Sequence, residues 1–226
     1  MEKKRLARAV IYLAGIVILT VGVTTNTFTG LGVSAIVSVP YSISVIWEKP
    51  LGTVTFFYYC SCVALQFLVG WRFCKPLLLI LQVPMALVTS VLIGWLSAAL
   101  PFAPQTMAGR FLFLALAILL TGIGGAMIVD MALVPNPADA LADVLGKRLG
   151  KNFGFGKNLL DGLAVLLTCA IGLLTVHRIV GVQIGTLFCA VLIGRTIAAF
   201  NHFFRVPLRR MAGLSDGDEL PAKAGK

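Results

Sequence analysis

Charge is what this sequence has least of. Only 12% of its 226 residues are Asp, Glu, Lys or Arg, about half of the roughly 25% that a soluble globular domain carries. That scarcity excludes an ordinary water-soluble globule, because too few polar side chains remain to cover a chain that is 58% hydrophobic. Alternating polar and apolar residues are also missing, which argues against a membrane-spanning barrel of strands. The five cysteines, Cys60, Cys62, Cys74, Cys169 and Cys189, include no CxxC pair. All lie in or beside apolar runs, where cysteine serves as a small buried hydrophobe. The two histidines, His177 and His202, are far apart in sequence, which argues against a His-based metal site or dyad, so no metal and no cofactor are expected. No Ser/His/Asp arrangement is visible, so an enzyme is not expected.

Apolar runs of about 20 residues, the length that crosses roughly 30 Å of hydrocarbon, recur along the chain. They predict six spans, at about 9–28, 52–71, 76–99, 110–133, 157–177 and 180–200. The basic start, Lys3, Lys4, Arg5 and Arg8 before an apolar stretch, also suits a signal peptide,. Residues 21–29 offer no clean small-x-small cleavage site, however, and the stretch is long enough to span. The tail from 205 onward is polar and reads as disordered,.

Two stretches fit neither span nor tail. Residues 30–47 are apolar but interrupted by Gly30, Gly32 and Pro40, and residues 134–150 begin with Pro135 and Pro137 before an amphipathic run. Both read as re-entrant or interfacial half-helices. Irregular backbone at membrane depth is tolerated only where it is buried in protein or lines a cavity.

The chain also repeats at a period close to 100 residues. Val91–Leu100 (VLIGWLSAAL) matches Val191–Phe200 (VLIGRTIAAF) at six of ten positions, Lys49–Gly52 matches Lys151–Gly154, and the two half-helices correspond. Three spans per copy is an odd number, so the second copy enters from the opposite side. The expected fold is an all-α polytopic membrane protein: six transmembrane helices as two inverted three-helix repeats, each with a Gly/Pro-interrupted half-helix. The first repeat covers 1–100, the second 101–204, and a polar cytoplasmic tail 205–226.

The net charge of +10 raises nucleic acid as a partner. The basic residues instead form short clusters between apolar runs, which is how membrane proteins set orientation. With the N-terminus inside, Arg72, Lys75, Lys147, Arg148, Lys151, Lys157, Arg205, Arg209 and Arg210 all face the cytoplasm, and only Lys49, Arg110 and Arg178 face out. No nucleic acid is expected. The expected partners are the lipid bilayer and a small-molecule solute, with a homo-oligomer or a larger membrane complex left open.

Charges within a membrane are costly and so mark candidate sites. Asp130 lies late in the fourth span. Asp139 and Asp143 are four apart on one face of the second half-helix, and Asp161 follows Lys157 at i,i+4 in the fifth span,. Arg195 lies in the sixth span and makes a candidate structural ion pair with Asp161. The first copy offers only neutral Asn26, Ser34, Ser38 and Tyr41 in comparable places. A solute site is expected between the half-helices, from Asn136, Asp139, Asp130, Asp161, Arg195, Gly32 and Ser34. Helix N-termini there would favour an anionic or zwitterionic group. Each residue has a plainer reading: interfacial charges for Asp143 and Lys157, a helix cap for Asp139, and an inner-interface position for Asp130.

Gly150–Asn158 (GKNFGFGKN) resembles a phosphate loop, but its spacing is one residue too long and Asn158 stands where Ser or Thr is needed for magnesium,. Gly181 and Gly185 make a small-xxx-small pair, read as close helix packing,.

Several motifs carry a family resemblance: GLGVSA to KPLG in the first copy, then Pro135, Asn136, Pro137 and Asp139, then Lys157 and Asp161, then Gly185, Thr186, Gly194 and Arg195. On these the chain resembles the YczE/YyaS/YitT family of bacterial membrane proteins, up to about residue 204. The resemblance implies a multi-pass bacterial cytoplasmic-membrane protein and little about activity. Val39-Pro40-Tyr41 departs from the Pro-Trp-Asp pattern of some members. The function expected is a secondary transporter or permease. The alternative is a membrane partner, or a regulatory or substrate-binding subunit of a larger complex, without turnover of its own.

Overall fold

The computed structural model describes residues 2–73, 75–99 and 103–214, and every regular element among them is helical. Eight α-helices follow in order: α1 (Glu2–Phe28), α2 (Ala35–Ile46), α3 (Leu51–Gly70), α4 (Pro76–Ala99), α5 (Met107–Asp130), α6 (Pro137–Arg148), α7 (Phe153–Val176) and α8 (Ile184–Ala212). A 3-10 turn, Trp71–Phe73, joins α3 to α4. Six of the eight, all but α2 and α6, are long and apolar enough to cross a bilayer. The protein is therefore a multi-pass membrane protein. Each of the six sequence-predicted spans overlaps one of these six helices, with shifted ends, and the two interrupted stretches contain α2 and α6. At 12 residues each, those two measure about 18 Å, too short to cross roughly 30 Å of hydrocarbon.

The two halves carry the same order: long, short, long, long. Phe28 and Asp130, Ala35 and Pro137, Ile46 and Arg148, and Leu51 and Phe153 bound corresponding helices. α1 packs along α5, so the first helix of each half forms the centre. α5 also packs on α8, α3 on α4, and α1 on α4 and α8. The two short helices both lie against α3 and α7.

The helix ends have local causes. Thr106 caps α5 by accepting from the Gly109 amide, and Asn152 caps α7 by accepting from the Phe155 amide, satisfying amides that have no partner within the helix. That disposes of the resemblance to a phosphate loop. Residues 150–152 are the turn into α7 and 153–158 its first helical residues, with Gly150 at φ 65°, and Gly156 is the point where α7 meets the Ala142 carbonyl of α6.

α1 straps down the segment that leads into α6. Arg8 donates to the carbonyls of Met131 (2.7 Å) and Ala132 (2.8 Å), and the Tyr12 hydroxyl donates to that of Val134 (2.9 Å). Two of these carbonyls belong to the turn just after α5, which the helix cannot pair internally.

The polar tail set at residue 205 is a correction. α8 continues to Ala212 because its last turns are bound: Arg209 is 3% exposed and donates to the Asp130 carbonyl, and Ala212 packs into the core. Polarity there reflects partners rather than disorder. Residues 215–226 lie outside the described residues. Gly181 and Gly185 also differ from a helix-packing pair. Gly181 is in the loop at φ 88°, and Gly185 opens α8 against the Leu31 carbonyl, which its amide reaches at 2.7 Å.

Candidate functional site

The start of α6 is built by Asn136 and Pro137 together with side chains of α3 and α4. Pro137 takes the first helical position, where its missing N–H costs nothing. Asn136 caps the helix, its side-chain oxygen accepting from the Ala138 amide at 3.0 Å, and the Tyr59 hydroxyl of α3 lies against the Asn136 side chain. The Pro137 carbonyl accepts from Gln66 Nε2 at 3.0 Å. Gln66 of α3 and Gln82 of α4 exchange two amide hydrogen bonds, at 2.8 and 3.1 Å. Both glutamines are buried, and in a hydrocarbon setting such polar groups need protein partners. The network therefore fixes where α6 begins.

Three residues beyond Asn136, Asp139 receives Lys157 of α7 at 2.9 Å. Lys157 also stands 3.8 Å from Asp161, one turn further along α7. The trio carries two carboxylates and one ammonium. All three side chains are partly buried, and Tyr58 of α3 faces Asp161. A partly buried cluster with an excess negative charge can take up a proton, bind a cation, or exchange its lysine for the amine of a solute. Asp143, one turn along α6, pairs with Lys147 at 2.8 Å and stays out of the trio.

The expected site residues thus divide. Asn136, Asp139 and Asp161 come together at α6 and α7, with Lys157 as their shared cation. Asp130 lies apart. It is 2% exposed, with Oδ1 3.7 Å from Arg205 and Oδ2 without a hydrogen-bond partner. There, with Arg209 on its carbonyl, it ties α5 to α8. Gly32 and Ser34 lie in the turn into α2, where Gly32 stands against the loop before α8. Arg195 is exposed on α8. The expected Asp161–Arg195 pair does not form: α7 and α8 barely touch, and Lys157, on the same helix face as Asp161, takes its carboxylate.

Tyr59, Gln66 and Gln82 lie outside the sequence expectation, which rested on charges within the spans and on the polar and Gly/Pro positions of the interrupted segments. Gln66 and Gln82 carried a usable signal, two amides inside apolar runs on either side of the short turn at 71–73.

A crevice of about 550 Å³ lies between α3 and α7, with Val39 and Ile43 of α2 and Leu141 of α6 in its wall. Tyr58, Ser61 and Cys62 are its polar lining and no charged side chain reaches it, so it offers a charged solute nothing to bind.

Comparison with known proteins gives one match. The chain belongs to DUF6198, a family of unknown function. The family model matches residues 6–202, which takes in both short helices, the Asn136 network and the Asp139–Lys157–Asp161 trio. No curated protein and no solved structure matches the chain.

Proposed function

We propose that this member of DUF6198 is a secondary transporter or permease for a small zwitterionic or anionic solute, and that the Asn136, Asp139, Lys157 and Asp161 cluster is its central site. The observation that carries the reading is the charged trio held between α6 and α7, because intramembrane charges mark solute and proton pathways. A lysine shared by two acids is a group that a substrate amine or a coupling proton can replace. The reading includes two inverted three-helix repeats, with α2 re-entrant from the outer side and α6 from the inner. It is supported by the repeated long-short-long-long order and by the packing of both short helices on α3 and α7. Broken or short segments at corresponding positions of inverted repeats are a recurrent mark of transporter binding sites. The resemblance of its motifs to the YczE/YyaS/YitT family supports, in this proposal, a location in the bacterial cytoplasmic membrane.

Uptake into proteoliposomes of the purified protein tests the activity, with a panel of small amino acids and carboxylates and an imposed proton gradient. Asp139→Asn and Asn136→Ala are expected to reduce uptake at least 10-fold while leaving the protein folded and monodisperse. Wild-type uptake in both variants would remove the cluster from the pathway. Binding without any uptake would favour the second reading, a substrate-binding or regulatory subunit of a larger complex.

Orientation is part of the same proposal. The basic residues place both termini in the cytoplasm. Single cysteines at 49 and 178 in a cysteine-free background are expected to react with an impermeant thiol reagent in intact cells, and cysteines at 75 and 147 to stay unlabelled. The reverse pattern would turn the protein over.

A further inference from the structure

At the far end of α1 from Arg8 lies a second cavity, of about 220 Å³, lined among others by Asn26, Gly30, Gly32, Tyr41, Arg178 and Gln183. Its walls are fixed. The loop before α2 and the loop before α8 are joined backbone to backbone: the Val33 amide donates to the Gly181 carbonyl at 2.9 Å, and the Gly185 amide to the Leu31 carbonyl at 2.7 Å. Gly32 sits at φ 93°, and a Cβ there would stand 2.6 Å from the Gln183 nitrogen. Only glycine fits this wall, for conformation and for space alike.

The chemistry of the lining is one-sided. Arg178 brings a positive charge, and the Arg110 guanidinium lies beside Gly30. No acid is among the lining residues. Asn26, 5% exposed, donates to Cys189 Sγ at 3.3 Å and leaves its side-chain carbonyl with no donor. A buried acceptor left without a donor is costly. The terminal torsion of asparagine is soft, so this oxygen can turn into the cavity when a donor arrives. The volume equals that of about seven waters at roughly 30 Å³ each, room for a compound of a few heavy atoms.

We infer that this cavity is a binding site for a small carboxylate that also carries a hydrogen-bond donor, an amine or a hydroxyl: the carboxylate on Arg178, the donor on the Asn26 carbonyl. The inference deepens the transporter proposal by giving the solute a first station apart from the Asp139–Lys157–Asp161 cluster. Its test is binding rather than uptake, so the two stand or fall separately.

The full chain in detergent or nanodiscs would be titrated with glycine, lactate, acetate and ethanolamine, following thermal stabilisation. Glycine or lactate is expected to raise the melting temperature saturably, acetate to do so less, and ethanolamine not at all. Arg178→Gln, a change at an exposed position, is expected to weaken that binding about 10- to 100-fold, the usual worth of a charge-assisted hydrogen bond. Asn26→Leu is expected to abolish the advantage of glycine or lactate over acetate. Arg195→Gln, on α8 and outside the cavity lining, is expected to change nothing. Stabilisation by none of the three carboxylates, equal stabilisation by ethanolamine, or wild-type affinity in Arg178→Gln would each overturn the assignment. Binding with no uptake would leave this site standing and sink the transporter reading. Uptake with no binding here would do the reverse.

Discussion

Lys157→Met is expected to destabilise the protein by about 1–3 kcal/mol, between the small cost of losing an exposed ion pair and the large cost of breaking a buried one. The lysine is the one cation between Asp139 (2.9 Å) and Asp161 (3.8 Å). Its removal leaves two carboxylates facing one another across α6 and α7 with no charge to balance them. Adding Asp139→Asn and Asp161→Asn in the same background removes the repulsion, and most of the lost stability is expected to return. Replacing a whole ion-pair set by neutral groups is often close to neutral, whereas removing one member is not. Melting temperature in detergent reads both effects. A Lys157→Met protein as stable as the parent, or a triple variant no better than the single one, would show that the trio does not act as a unit. Function separates from stability in the same series: the triple variant is expected to fold and yet to lose the uptake that the cluster supports.

The trio also shows how far the sequence could be read. That Lys157 and Asp161 meet follows from their i,i+4 spacing, and that Asp139 sits near the start of α6 follows from the prolines before it. What spacing does not carry is which face of α6 turns to α7. That depends on Gly156, where the two backbones approach too closely for any side chain, and on Gly150, whose positive φ makes the turn. The Asp161–Arg195 expectation failed on the same kind of information. Two charges in neighbouring spans invite pairing, but α7 packs on α2 and α6 while α8 packs on α5, so the residues lie on separate surfaces. The spans themselves were legible because long apolar runs have one physical solution in lipid. Their ends were less so. α1 begins at Glu2 and α8 ends at Ala212, because helical hydrogen bonding continues beyond the hydrocarbon wherever side chains find partners. Arg8 on the Met131 and Ala132 carbonyls and Arg209 on that of Asp130 are such partners. Gly32 and Asn26 were legible only as an interruption and a neutral amide. Their place in one cavity required the loop before α8, nearly 150 residues away along the chain.

The largest loss of all is expected from Gly124→Leu. α1 and α5 cross where Gly15 of one faces Gly124 of the other and Gly22 faces Thr121. A Cβ on Gly22 would stand 2.5 Å from the Thr121 nitrogen, and one on Gly124 would meet the Leu19 nitrogen and stand 2.7 Å from the Gly15 carbonyl oxygen. These neighbours are backbone atoms, which cannot step aside as the end of a side chain can. Among lipids there is no hydrophobic gain to hold helices together, so close backbone approach over small residues supplies the association instead. This contact also joins the first helix of each half. A leucine at 124 forces α1 and α5 apart and removes it, at a cost of about 3 kcal/mol or more, the upper range for overpacking. The expected result is loss of the folded, monodisperse protein in size-exclusion chromatography. Gly162→Leu and Gly194→Leu are the matched controls, because a Cβ at either position meets nothing within 4 Å. Both are expected to express and migrate as the parent does. A Gly124→Leu protein as well behaved as these two would mean that the halves are held elsewhere, and the α1–α5 crossing would lose its place as the centre of the fold.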